Sequence, residues 1–75
     1  MTKLPAVTGR VVVAALCRNG WVIRDHRGSH IKLVKPGNKY PIIVPVHGSG
    51  SVPKGTLRNI IRSTGLTVEE FIKLC

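Results

Sequence analysis

Acidic side chains are almost missing from this sequence. Asp25, Glu69 and Glu70 are the only three, against twelve Lys and Arg, for a formal net charge of +9. Metal-assisted cleavage of a phosphodiester needs carboxylate ligands, commonly clustered. One Asp and two adjacent Glu that read as a helix cap are a poor basis for a two-metal site. Cysteine is scarce as well: Cys17 falls inside an expected helix and Cys75 is the last residue. Two thiols so placed point to reduced cysteines, not to a disulfide framework. Zinc wants three or four well-placed ligands, and three histidines without a convergent cysteine do not supply them. No apolar run approaches the roughly 18 residues that cross a bilayer, and MTKLPAVTGR has no h-region. The expectation is a soluble, cytoplasmic protein with no metal and no cofactor. Its 75 residues allow one domain, 1–75, without repeat, linker or low-complexity tract. A chain this short buries only about 60% of its unfolded surface, so a bound partner adds useful stability.

What is abundant is positive charge, and +9 on so small a domain exceeds what solubility asks. Such an excess favours a polyanion: nucleic acid, an anionic membrane surface or an acidic protein. The cations are scattered and do not line one long amphipathic helix, which makes the membrane the weakest of the three. Nucleic acid is favoured.

Along the chain, Thr8 is placed as an N-cap, Val12, Ala15 and Leu16 follow at helical spacing, and Asn19-Gly20 supplies a stop. The triple Val11-Val12-Val13 argues locally for strand. Trp21–His26 reads as a first strand and His30–Lys35 as a second, joined across Arg27-Gly28-Ser29; Pro36-Gly37-Asn38-Lys39 is a turn. Tyr40–Val46 reads as a third strand. Its Pro41 and Pro45 cannot donate to a ladder, which puts it at an edge or makes its ends irregular. HGSGSVPKG, residues 47–55, is a loop entering a second helix with Leu57, Ile60, Ile61 and Thr64 on one face and Gly65 as a left-handed cap, over which Leu66 folds back on Ile61. Thr67-Val68-Glu69-Glu70 is a capping box for a short third helix with Val68, Phe71 and Ile72 inward. The fold class is α+β in the order α-β-β-β-α-α: a three-stranded antiparallel sheet with helices packed on one face and the other face open.

Period two sorts the second strand: Ile31 and Leu33 go inward to the helices, His30 and Lys32 outward. If Trp21 and Ile23 are buried, Arg24 and His26 join them on the open side. The bland alternative is a solvated polar face. On the second helix, Lys54, Arg58 and Arg62 recur every four residues as a basic ridge, with Gly55 and Thr56 in a first turn whose free amides attract phosphate. An ordinary solvated helix face mixes in Glu, and none occurs between residues 54 and 68.

With carboxylates short, one route to RNA cleavage is metal-free. A general base takes the proton of a 2′-hydroxyl, the oxygen attacks its own phosphate, and cationic donors stabilise the transition state. That route wants histidine, whose imidazole titrates at about 6.5 in model peptides, with Lys or Arg beside it.

Taken together, GW at 20–21, RGSHIKL at 27–33, VPVH at 44–47 and KGTLRNIIRSTGLTVEEF at 54–71 resemble the HicA family of bacterial toxins, over about residues 8–74. The resemblance implies a fold like the double-stranded-RNA-binding domain and an mRNA-cleaving toxin of a type II toxin–antitoxin system. It also implies neutralisation by an acidic HicB-type antitoxin. In that family the histidine of the Gly-Ser-His motif is catalytic, which corresponds to His30; the VPVH histidine, His47, matches a further family feature. The expectation is a metal-independent endoribonuclease with His30 as general acid or base and Lys32 and Arg24 as phosphate contacts. His26 and His47 are the two candidates for a second proton-transfer group, and Lys54, Gly55, Arg58 and Arg62 meet RNA or the partner.

Three rivals stand beside it. A non-catalytic RNA-binding module has no need of an imidazole at position 30, where Lys or Arg binds phosphate better. A helix-turn-helix over TLRNIIRSTGLTVEEF would send Glu69 and Glu70 towards phosphate. A pure partner-binding module uses the same basic surface.

Overall fold

The computed structural model describes residues 3–75. Met1 and Thr2, which the single-domain expectation also covers, lie outside it. The elements are α1 (Gly9–Arg18), β1 (Val22–Arg27), β2 (His30–Val34), β3 (Ile42–Pro45), α2 (Lys54–Thr64) and α3 (Val68–Leu74). Their order is the expected one. The strands form one antiparallel sheet in the order β1-β2-β3.

Local signals start and stop the helices. The Thr8 hydroxyl accepts from the Val11 N–H at 3.3 Å, and Asn19 closes α1 before Gly20 turns the chain at φ 94°. The valine run takes helix and not strand because Val12 and Val13 bury there beside Ala15 and Leu16, and tertiary burial outweighs a weak propensity. α2 ends on Gly65 at φ 77°. α3 opens on a complete capping box, with the Thr67 N–H donating to Glu70 Oε1 at 2.9 Å and the Glu70 N–H donating to Thr67 Oγ1 at 3.1 Å. Hydrogen bonds from the Thr67 backbone, then from its side chain, hold the Glu70 carboxyl below the ordinary carboxylate range. Val68 and Leu74 are partly buried with Phe71 fully so, a three-residue recurrence that takes the inward stripe. Ile72, expected to point inward, is rotated to the rim and is 37% exposed.

The helices gather on one side of the sheet. Val12 and Leu16 of α1, Leu33 and Val44 of the sheet, Leu57 of α2 and Phe71 of α3 are fully buried together. α1 packs on β1, β3 and α3, and α2 packs on β3. Arg18 Nη1 donates to the Leu74 carbonyl at 2.7 Å and so ties α1 to the end of α3. Cys17 and Cys75 are free thiols, and burial raises the Cys75 thiol above its ordinary value against the opposing charge of Arg18.

The strands are shifted from their expected limits. β1 reaches Arg27, and β2 stops at Val34, one residue short of a Pro36-Gly37 turn closed by the Asn38 N–H on the Lys35 carbonyl at 3.0 Å. Pro at its second position and Gly37 at φ 89° at its third suit a type II turn. β3 is confined between Pro41 and Pro45 and lies at the sheet edge, where missing N–H donors do least harm. Among the described residues no helix is long and apolar enough to cross a membrane.

Candidate functional site

The site begins with a two-residue turn. Gly28 takes φ 55°, and Gly28-Ser29 joins β1 to β2 so that Arg27 pairs directly with His30. Short hairpin loops fix register in this way. Counting back along β1, His26 faces Ile31 and Asp25 faces Lys32; then the ladder slips, because Ile23 is the partner of Leu33. One step on β2 thus corresponds to two on β1, and Arg24 is the extra residue of a β-bulge. A bulge reverses the in–out alternation of the strand.

This bulge overturns part of the expected open face. Asp25 and Arg27, not Arg24 and His26, stand beside His30 and Lys32. His26 pairs with half-buried Ile31 on the helix side, where its place on an edge strand leaves it exposed, and Arg24 sits exposed at the bulge itself. Ile23, assumed buried in that expectation, is 49% exposed. β3 adds Ile43 opposite Lys32 and Pro45 opposite His30. Asp25, Arg27, His30, Lys32 and Ile43 line a shallow depression of about 320 Å³.

Within it, Asp25 organises β1. Its carboxylate accepts from Arg27 Nε at 2.9 Å and from the His26 backbone N–H at 2.9 Å. The pair is exposed, so it contributes little stability, but it aims the guanidinium along the strand. Among the described residues no acceptor engages the Nη groups of Arg27 or the side chains of His30, Lys32 and His47. A phosphate lying across this face meets one guanidinium, one ammonium and one imidazole.

His47 arrives from β3. The ladder continues past the His30–Pro45 pair, with the Val46 N–H donating to the Ser29 carbonyl at 2.6 Å. Alternation returns His47 to the side of His30, and the two rings lie 6.1 Å apart, edge towards face at 85°. Of the two histidines considered as partners for His30, His47 is the one brought to it.

The α2 ridge lies elsewhere. Lys54 Nζ donates to the Leu4 carbonyl at 3.1 Å, which uses that ammonium to hold the N-terminal segment. Arg58 and Arg62 border a groove with Leu4, Ile61, Leu66, Thr67 and Val68, to which the sheet contributes nothing. Gly55 is exposed in the first turn of α2, with open space around its Cα. Among the described residues, no three His, Cys, Asp or Glu side chains converge as a metal-binding group.

Sequence reasoning missed Asp25 and Arg27. The signal that finds them is the turn: counting back from a two-residue loop puts Arg27 opposite His30, whereas counting forward from Trp21 runs into the bulge.

Residues 9–66 match the family model described as the HicA toxin of bacterial toxin–antitoxin systems. The chain belongs to the HicA toxin family. A solved structure titled as a toxin–antitoxin complex from Streptococcus pneumoniae contains a chain 35% identical to this one. The likeness covers 83% of this HicA-family chain and 100% of the other, with a TM-score of 0.63. Among curated proteins no significant match is found.

Proposed function

We propose that this chain is the toxin of a toxin–antitoxin pair and acts as a metal-independent endoribonuclease on mRNA, with His30 as general acid or base. The observation that carries the reading is the grouping of His30 with Arg27 directly across the ladder and Lys32 on the same uncovered face. In the reaction a 2′-hydroxyl gives up its proton, its oxygen attacks the adjacent phosphorus, and the bond to the 5′-oxygen breaks as that oxygen is protonated. His30 serves one of these proton transfers. Arg27 and Lys32 stabilise the charge gathering on the phosphoryl oxygens, a role that cations aimed at developing charge perform well.

The partner in this reading is an acidic, HicB-type antitoxin covering the open face. Complementary charge speeds its association with a +9 toxin and blocks RNA at the same surface. The likeness to a chain from a toxin–antitoxin complex supports it. Arg58 and Arg62, on the far side of the sheet, are left for the partner or for RNA beyond the cleaved segment.

The test is incubation of the purified protein with structured and unstructured RNA, and with DNA, in the presence and absence of EDTA. The expected products are a 2′,3′-cyclic phosphate and a 5′-hydroxyl, from RNA alone, at the same rate with chelator. Intact RNA would reduce the chain to a binding module. Loss of cleavage on chelation, or 5′-phosphate ends, would point to metal-assisted attack by water.

A further inference from the structure

We infer that His47 is the second proton-transfer group of this site, so that cleavage runs on a pair of histidines, one at each end of the breaking phosphodiester. The inference rests on the reading of the chain as an RNA-cleaving toxin and goes beyond it by naming the group at the other oxygen.

In-line displacement at phosphorus puts the entering 2′-oxygen and the leaving 5′-oxygen on opposite sides. One group must therefore accept a proton while another donates one. A single imidazole cannot face both oxygens at hydrogen-bond range, about 2.6–3.2 Å. Rings 6.1 Å apart on one open face let a phosphate resting above them meet a nitrogen of each. The atoms balance without a co-reactant. The base takes the 2′-hydroxyl proton as the O2′–P bond forms, and the acid gives its proton to the 5′-oxygen as the P–O5′ bond breaks. The pair ends with its protons exchanged, and water resets it.

His47 is held for such a task although it lies beyond the end of β3. The Val46 N–H is bound to the Ser29 carbonyl on one side of it, and on the other the Gly50 N–H donates to the His47 carbonyl at 2.9 Å. The loop is then clamped to the N-terminal segment by the Val52 N–H on the Val7 carbonyl at 2.8 Å and by a Thr8–Ser51 bridge. From below, Gly9 brings the start of α1 against Pro45 and Val46 so closely that a Cβ there would fall 2.8 Å from Val46 Cγ2. The charged groups sharing the depression with His30 are Arg27 and Asp25 from β1 and Lys32 from β2. Arg10 of α1 borders a neighbouring hollow with Thr8, Gly48 and Ser49. These surroundings are mostly cationic, which suits a bound phosphate.

The experiment compares wild type, His30→Ala, His47→Ala and His47→Gln on two RNAs, one natural and one with sulfur replacing the bridging 5′-oxygen at the cleavage site. Sulfur leaves without a proton, so it dispenses with the acid and not with the base. On the natural RNA, both His47 variants should lose about 10²-fold or more in rate with RNA affinity kept, and one limb of the bell-shaped pH–rate profile should vanish. On the thio-RNA, the variant lacking the acid should recover and the one lacking the base should not. His47 variants that cut natural RNA at the wild-type rate, while His30→Ala is inactive, would overturn the inference and leave the endoribonuclease reading intact. Slow His47 variants with both pH limbs retained and no difference between the two RNAs would make His47 a structural residue. A wild-type protein that cuts neither RNA would bring down the reading and the inference together.

Discussion

On the open sheet face, Arg27 and Lys32 stand beside His30, placed by the β1–β2 ladder, and the Asp25 carboxylate holds the Arg27 guanidinium. On α2, Lys54, Arg58 and Arg62 recur just as regularly, yet Lys54 is spent on the Leu4 carbonyl and the two arginines border an apolar groove. Both surfaces contribute to the same +9. They differ in what stands beside the cations: two imidazoles on the sheet face, and none on α2. Charge alone marks where a polyanion can settle. Reaction needs charge in register with a proton carrier.

The comparison breaks most easily at Arg27. Arg27→Gln should lower the rate of RNA cleavage by about 10²–10³, the usual loss on removing one donor aimed at developing charge. The paired Arg58→Gln and Arg62→Gln protein, assayed alongside on a short RNA, should cut at the wild-type rate. Equal losses in the two proteins would erase the distinction between the surfaces.

A smaller effect is expected from Gly9, which touches no RNA in this account. Gly9→Ala forces Pro45 and Val46 outward and carries His47 with them. A displacement below 1 Å should reduce cleavage about tenfold, with a stability loss of about 1–3 kcal/mol from overpacking. A rate unchanged at full folding would show that the β3 end need not be held.

Salt dependence sharpens the contrast further. Replacing Arg27 and Lys32 together by Gln should flatten the plot of log affinity against log salt by about one unit, since both meet the same phosphate. Replacing Arg58 and Arg62 should leave the slope for a short RNA unchanged. A two-unit change from the α2 pair would place the RNA across the helices.

The smallest effect serves as a control away from the sheet face. Thr67→Ala removes an N-cap and should cost about 1 kcal/mol in chemical denaturation with cleavage unaltered. The sign of the pH effect follows from Glu70, whose carboxyl is held below its ordinary value by Thr67. Its contribution is complete above the unfolded carboxylate pKa and is lost as pH falls through the depressed folded value. The gap between wild type and Thr67→Ala should therefore narrow in acid. A gap that widened in acid would contradict the capping box.

What was legible in the sequence was local. Thr8, Gly65 and the Thr67–Glu70 box act within a few residues of themselves, so helix order and helix ends followed from neighbours along the chain. The His30–Lys32 face followed from alternation within one short strand. Arg24 and His26 were misplaced because a bulge without glycine leaves no mark in its own residues; it is a settlement between strand twist and the packing of a whole sheet. The approach of His47 to His30 depends on the β2–β3 register, and the Pro36–Lys39 turn does not set that register as the two-residue Gly28-Ser29 loop sets the first. Ile72 was misjudged because the adjacent apolar pair Phe71-Ile72 on a seven-residue helix does not say which stripe the core will cover.

The most direct measurement is the single-turnover cleavage rate of His30→Ala, taken with its melting temperature and RNA affinity. His30 is exposed at the start of β2, so its removal should change stability by only about 0.5 kcal/mol either way and leave RNA bound. The rate should fall by about 10²–10⁴, the usual worth of general acid–base catalysis. A folded His30→Ala protein that binds RNA and cuts it as fast as wild type would contradict the account.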